Sequence, residues 1–175
     1  MKVCNKLIEE SFDYKNNIHG RGLTECIISL DEIYYYVSSV GERLYFDTTD
    51  IYSKEIKNGL NSISNFDISA VEIVKNLTIL NDEAYGIYSD NKSNIHEAFK
   101  ILSAKLLECS PDSNHVQYLS FEFIDDEGSR ILIECSPHVK LIREDSNLRI
   151  YFYWCHDNIS KGQKILKGRI GTHPY

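Results

Sequence analysis

The sequence predicts a single α+β domain, 1–175, built on a mainly antiparallel sheet. Strand-like runs cluster towards both ends of the chain. Two amphipathic helices lie between them, without the regular alternation of strand and helix that a parallel sheet requires. Hydrophobic residues make up 42% of the chain and charged residues 26%, and this balance is typical of a globular protein with one core.

The N-terminal part is predicted to supply strands. Segment 3–14 is predicted as a short helix or a loose arm. Three strands rich in β-favouring residues are predicted after it, at 23–30, 32–39 and 44–46. The stretch 51–60 is predicted as a short helix that ends near Gly59.

The middle of the chain is predicted to form two helices. The first spans 68–80, where apolar residues recur at helical spacing. The second spans 94–107, and Asn94 with Glu97 three residues later resembles a capping box at its start. A short strand is predicted between the helices at 84–88.

The C-terminal third is predicted to be a β-meander followed by a basic tail. Its strands are expected at 116–124, 129–135, 138–143 and 148–155, and Pro137 should interrupt the run. After Asn158 the chain carries four basic residues and no acid: Lys161, Lys164, Lys167 and Arg169. This tail is predicted to lie on the surface against an acidic body, or to be a frayed end.

The charge of the chain favours one class of partner. Removing the four positive charges of the tail from the net charge of −7 leaves −11 on the rest. A body of that charge repels nucleic acid and anionic membrane surfaces and attracts basic proteins. The sequence has no apolar run long enough to span a membrane and no signal-like start, so a cytoplasmic location is expected.

The residues used in catalysis and metal binding do not form a recognisable motif. The five cysteines, widely spaced and without a CxxC pair, are predicted to be free thiols: Cys4, Cys26, Cys109, Cys135 and Cys155. No nucleotide-binding or metal-binding pattern occurs, so no cofactor is expected. The run Cys155-His156-Asp157 contains the residue types of thiol catalysis, but neighbours on a strand point to opposite faces. Catalysis there would need His19 or His138 to arrive from elsewhere.

Acids and tyrosines supply the candidate binding residues. Asp125, Asp126 and Glu127 form the densest acidic cluster, which can be a solvated turn, an acidic finger for a basic groove, or a magnesium site. A second candidate patch combines three acids with two tyrosines near the third predicted strand: Glu42, Asp47, Asp50, Tyr45 and Tyr52. Tyrosine presents a large rigid surface with a polar tip, and this suits protein recognition.

In size, charge and composition the chain resembles the immunity proteins of bacterial contact-dependent inhibition and other polymorphic-toxin systems. No sequence motif contributes to the resemblance, so no family site residue is carried over. The resemblance implies a protein that binds and neutralises a cognate toxin domain, often a basic nuclease, by blocking its active site. Two alternatives stay open at the level of sequence. One is a thiol or acid–base hydrolase using Cys155 or His138, and the other is a small acidic secretion-type chaperone.

Overall fold

The structure, a computed structural model, describes residues 51–63, 72–73, 75–77, 79–92, 94–105, 108–111, 114–141 and 147–175. Seven strands lie in these ranges: β1 (Ile51–Tyr52), β2 (Cys109–Pro111), β3 (Ser120–Ile124), β4 (Arg130–Glu134), β5 (Pro137–Lys140), β6 (Leu148–Tyr153) and β7 (Leu166–Thr172). Five of them form a main sheet in the order β1-β7-β6-β5-β2, and β3 pairs with β4 in a separate hairpin. All pairings are antiparallel except that of β1 with β7. The predicted α+β class with a mainly antiparallel sheet is therefore confirmed.

The helices include three α-helical segments, α1 (Ile56–Asn61), α2 (Tyr85–Asp90) and α3 (Ile95–Ser103). A π-helical turn, Leu80–Ala84, runs directly into α2, and the described residues from 72 to 79 are helical as well. Asn94 caps α3, since its side-chain oxygen accepts a hydrogen bond from the backbone N–H of Glu97 at 3.3 Å. Within the described ranges, no helix has the length and apolar character needed to cross a membrane.

Both faces of the main sheet are covered. On one face, residues such as Ile150 and Phe152 of β6 pack with buried residues of the helices, among them Leu102. On the other face, Tyr151 of β6 packs with Phe121 of the β3–β4 hairpin. The described part of the chain therefore has three layers, and apolar burial on both sides stabilises the central strands.

Gly168 allows the hairpin to approach the sheet closely. The pairing of β6 with β7 shifts register between Tyr151 and Phe152, and Gly168 is the extra residue of the resulting bulge. A Cβ at Gly168 would clash with the ring of Phe121 and lie 2.9 Å from the Cβ of Cys135. The absence of a side chain at this position therefore sets the spacing between the layers.

The predicted strand at 84–88 is wrong, because these residues belong to the π-helical turn and α2. Leu77, Leu80 and Ala84 are all buried at roughly helical spacing, so the apolar face of the preceding helix continues through the π turn. Packing of that face against the sheet outweighs the β propensity of the short Tyr-Gly-Ile-Tyr run.

The predicted surface tail is also wrong, because the last part of the chain forms β7 between β1 and β6. Lys167 is fully buried, and Arg169 is almost fully buried. The guanidinium of Arg169 lies 3.4 Å from a carboxylate oxygen of Glu55 and donates through Nε to the carbonyl of Thr172 at 2.8 Å. Pairing of this kind allows a strand with basic residues to occupy the interior.

Other sequence predictions need smaller corrections. The stretch 51–60 is not one helix but β1 followed by α1, and Val116–Tyr118 is a 3-10 turn that precedes β3. The meander is divided, because the chain leaves the hairpin after β4 and enters the main sheet with Pro137 as the first residue of β5. The helices are confirmed where described, α3 being shorter than 94–107. Segment 3–14 and the predicted strands at 23–30, 32–39 and 44–46 lie outside the described residues.

Candidate functional site

The acidic turn between β3 and β4 is held by its own carboxylates. Asp125 Oδ1 accepts hydrogen bonds from the backbone N–H groups of Glu127 at 3.0 Å and Ser129 at 2.7 Å. Asp126 accepts from the N–H of Ser160 at 2.7 Å and from that of Lys161 at 3.2 Å. The carboxylates of Asp125 and Asp126 therefore organise the turn and the neighbouring loop, in addition to any contact with a partner.

The remaining members of the predicted binding set are placed differently. Glu127 is exposed, and its carboxylate makes no hydrogen bond or ion pair with the residues that the structure describes. Tyr52 lies in β1 beside Lys167 of β7. The other predicted residues lie outside the described ranges: Glu42, Tyr45, Asp47 and Asp50.

The outward face of the hairpin combines apolar side chains with carboxylates. Leu132 is 73% exposed and Ile124 is 48% exposed. Glu122, which pairs in register with Leu132, forms an ion pair with Lys54 and lies 3.8 Å from Arg130. The hydrogen bond from Lys54 holds the pKa of Glu122 below its usual value. This surface, called the hairpin face below, consists of Ser120, Glu122, Ile124, Arg130, Leu132 and Glu134.

A cavity of about 570 Å³ opens beside the hairpin face, where the ends of β4, β5 and β6 meet the helix layer. Its apolar lining comes from Ile95, Phe99, Pro111, Leu132, Ile133, Pro137 and Trp154. Its polar lining comes from Tyr88, Lys92, Glu134, Ser136, Tyr153 and His156. The volume and the mixture of apolar walls with a few polar groups are typical of a binding site.

The inner wall of the cavity is a packed aromatic cluster. Tyr88 and Trp154 are stacked with ring centroids 5.3 Å apart, and Phe99 meets Trp154 edge-on at the same distance. The Lys92 ammonium lies 5.9 Å from the centroid of the Tyr88 ring. Because Trp154 is only 5% exposed, the cluster forms a fixed wall on which a ligand group could rest.

The charged groups that line the cavity are one carboxylate, that of Glu134, and one ammonium, that of Lys92. Burial raises the pKa of Tyr153, and so do several nearby groups that include the carboxylates of Glu134 and Asp157. Both carboxylates are exposed, and neither forms an ion pair with another residue in the described part of the chain. Lys92 is the one lysine or arginine among the described lining residues.

The predicted thiol site does not have the electrostatics of a nucleophile. Burial raises the pKa of the half-buried Cys155 thiol, although Lys92 and a hydrogen bond with Tyr88 act in the opposite direction. Catalytic cysteines need a lowered pKa, because the thiolate is the reactive form. His156 accepts a hydrogen bond through Nδ1 from the backbone N–H of Asn158 at 3.3 Å, and His138 packs beside Tyr151 with centroids 5.5 Å apart.

The sequence reasoning missed the cavity, because its walls come from four separate parts of the chain. One signal was available: Trp154 is the single tryptophan and ends an aromatic run, one residue before Cys155. No group of three or more His, Cys, Asp or Glu side chains within the described residues is arranged to hold a metal ion. Comparison with protein-family models, with curated proteins and with solved structures gave no match for this chain.

Proposed function

We propose that this chain is an inhibitor of the immunity-protein type, which binds a basic toxin domain and blocks its active site in the cytoplasm. The observation that carries the proposal is the hairpin face, where Leu132 is highly exposed among carboxylates. Large exposed apolar residues surrounded by polar ones are typical of protein-binding surfaces. Leu132 and Ile124 would form the apolar centre of the contact.

The charge around the hairpin supports a basic partner. From Ser120 to Glu134 the hairpin carries five carboxylates and one arginine. Carboxylates on such a surface can occupy the positions that phosphates take in the cleft of a nuclease. Complementary charge of this kind raises the rate of association. Salt at about 0.1 M screens the attraction between exposed charges that are more than about 10 Å apart.

The two alternatives have less support. A thiol hydrolase would require Cys155 to ionise near neutral pH, and burial acts against that ionisation. A chaperone would require a long apolar groove for its client. The hairpin face has two exposed apolar residues separated by charged side chains, which fits a compact contact better than a groove.

The test is a neutralisation assay with the product of the gene next to this one. That product is expressed in a host with and without this chain, and cell growth is measured. We expect growth to recover when this chain is present, and the on-rate of the purified pair to fall with rising salt while the off-rate changes less. Failure of every neighbouring toxin candidate to be neutralised would refute the proposal.

A pair of variants tests the surface itself. Leu132→Asp should weaken binding at least tenfold, because it places a charge at the apolar centre of the contact. Tyr118→Ser removes a side chain that is 51% exposed in the 3-10 turn before β3, outside the hairpin face, and should leave binding unchanged. Equal binding by both variants would exclude the hairpin face as the interface.

A further inference from the structure

We infer that the cavity beside the hairpin face is a pocket for an arginine side chain of the partner protein. This inference rests on the proposed function, since a basic toxin domain would supply the arginine. The arginine would anchor the complex, and Glu134 and Tyr153 would be among the residues that bind it. The sequence did not indicate either of these two residues.

The cavity is continuous with the hairpin face. Leu132 belongs to both, because it is exposed on the outer side of β4 and also lines the cavity. Glu134, two residues further along the same strand, points to the same side and lines the cavity as well. A partner that covers Leu132 therefore lies over the mouth of the cavity and can insert a side chain into it.

The carboxylate of Glu134 fits a cation. It lines the cavity, is exposed, and forms no ion pair with another described residue. The Lys92 ammonium lies near the Tyr88 ring, on the helix side of the cavity. An inserted guanidinium would offset the negative charge and gain charge-assisted hydrogen bonds to Glu134.

The walls favour arginine over lysine. Leu132, Pro137 and Tyr153 offer apolar surface for the aliphatic stem of the side chain. A guanidinium is planar, stacks on aromatic rings and binds a carboxylate with two parallel hydrogen bonds, whereas an ammonium is a compact and strongly hydrated charge. The combination of Tyr153 with Glu134 therefore selects the planar group.

Trp154 allows a direct test, because it is the single tryptophan of the chain and lines the cavity. The probe is the peptide acetyl-Gly-Arg-Gly-amide, titrated while the fluorescence of Trp154 is recorded. We expect a saturable change with a Kd on the order of millimolar, as one anchoring side chain can supply. The same peptide with neutral citrulline in place of arginine should bind at least tenfold more weakly.

Two variants that each remove one negative charge distinguish binding of the peptide in the cavity from binding to the acidic surface in general. Glu134→Gln should weaken binding of the arginine peptide at least tenfold, and Glu127→Gln, at the exposed turn, should not. An unsaturable response, an equal response to citrulline, or equal affinity of the Glu134→Gln variant would overturn the inference. Tighter binding of free argininamide than of the peptide would also overturn it, by indicating a small-molecule site.

The outcomes distinguish this inference from the proposed function. If the toxin is neutralised but Trp154 does not respond to the arginine peptide, the pocket is refuted and the inhibitor function stands. If Trp154 responds as expected and no neighbouring toxin is neutralised, the inhibitor function fails while the arginine pocket remains. With a neutralised toxin in hand, Glu134→Gln should raise the off-rate of the complex, and Glu108→Gln, which removes a carboxylate outside the hairpin and the cavity lining, should not.

Discussion

Asp126 joins the hairpin turn to the loop after β6, and its removal should destabilise the protein measurably. Its carboxylate binds the N–H groups of Ser160 and Lys161, which have φ angles of 48° and 55° in the left-handed region. Asp126→Ala deletes both hydrogen bonds and leaves two strained residues unsupported. Both bonds are exposed, so we expect a loss of about 2 kcal/mol in the free energy of unfolding.

Thermal unfolding followed by circular dichroism measures this loss. For a chain of this length, 2 kcal/mol corresponds to a fall of roughly 4–8 °C in Tm. Asp126→Asn keeps one acceptor oxygen and should fall between Asp126→Ala and the unchanged chain. Glu127→Ala is the matched control and should change the free energy by less than about 0.5 kcal/mol. An unchanged Tm for Asp126→Ala, or an equal fall for Glu127→Ala, would refute the assignment of Asp126 as a structural link.

Four further results are expected. Removal of the residues after Asn158 deletes β7, so the shortened chain should show no cooperative thermal transition, and a normal transition would place β7 outside the core. Gly168→Ala forces the hairpin away from the sheet and should cost at least about 2 kcal/mol. Gly86→Ala, on the exposed side of α2 with open space around it, should instead raise the free energy of unfolding by about 0.5–1 kcal/mol. Denaturant unfolding measures both changes, and similar effects of Gly168→Ala and Gly86→Ala would contradict the role of Gly168 in the close approach of the layers. Because the pKa of Cys155 is raised and only the thiolate reacts, the rate of its alkylation should rise about tenfold per pH unit from neutral pH upwards. Peptide mass spectrometry measures this rate, and a rate that levels off near pH 7 would contradict the raised pKa.

Local features of the fold were predictable from the sequence. Asn94 begins α3 because its side chain and the N–H of Glu97 are three residues apart, a spacing that is visible in the sequence itself. The β3–β4 hairpin follows from alternating apolar residues on either side of an acidic turn that contains Gly128. In both cases the interacting groups are close along the chain.

The errors arise where the deciding partner is distant in sequence. The basic residues of β7 suggested a surface segment, but Arg169 pairs with Glu55, 114 positions earlier. The cavity has the same origin, since α3, β4 and β6 contribute its walls and only the folded chain brings them together. Charge and periodicity report on neighbours, and they contain no information about which remote element will cover a strand.

The parallel pairing of β1 with β7 has a consequence for the order of folding. The Ser53 hydroxyl donates to the carbonyl of Gly168 across 115 positions of sequence, whereas β5, β6 and β7 follow one another along the chain. Closing a longer loop costs more entropy, so the antiparallel strands should associate before β1 docks on β7. Contacts of β1 should then be weak in the folding transition state, and their loss should accelerate unfolding more than it slows folding. The lifetime of the native state, rather than the speed of its formation, would depend on this edge of the sheet.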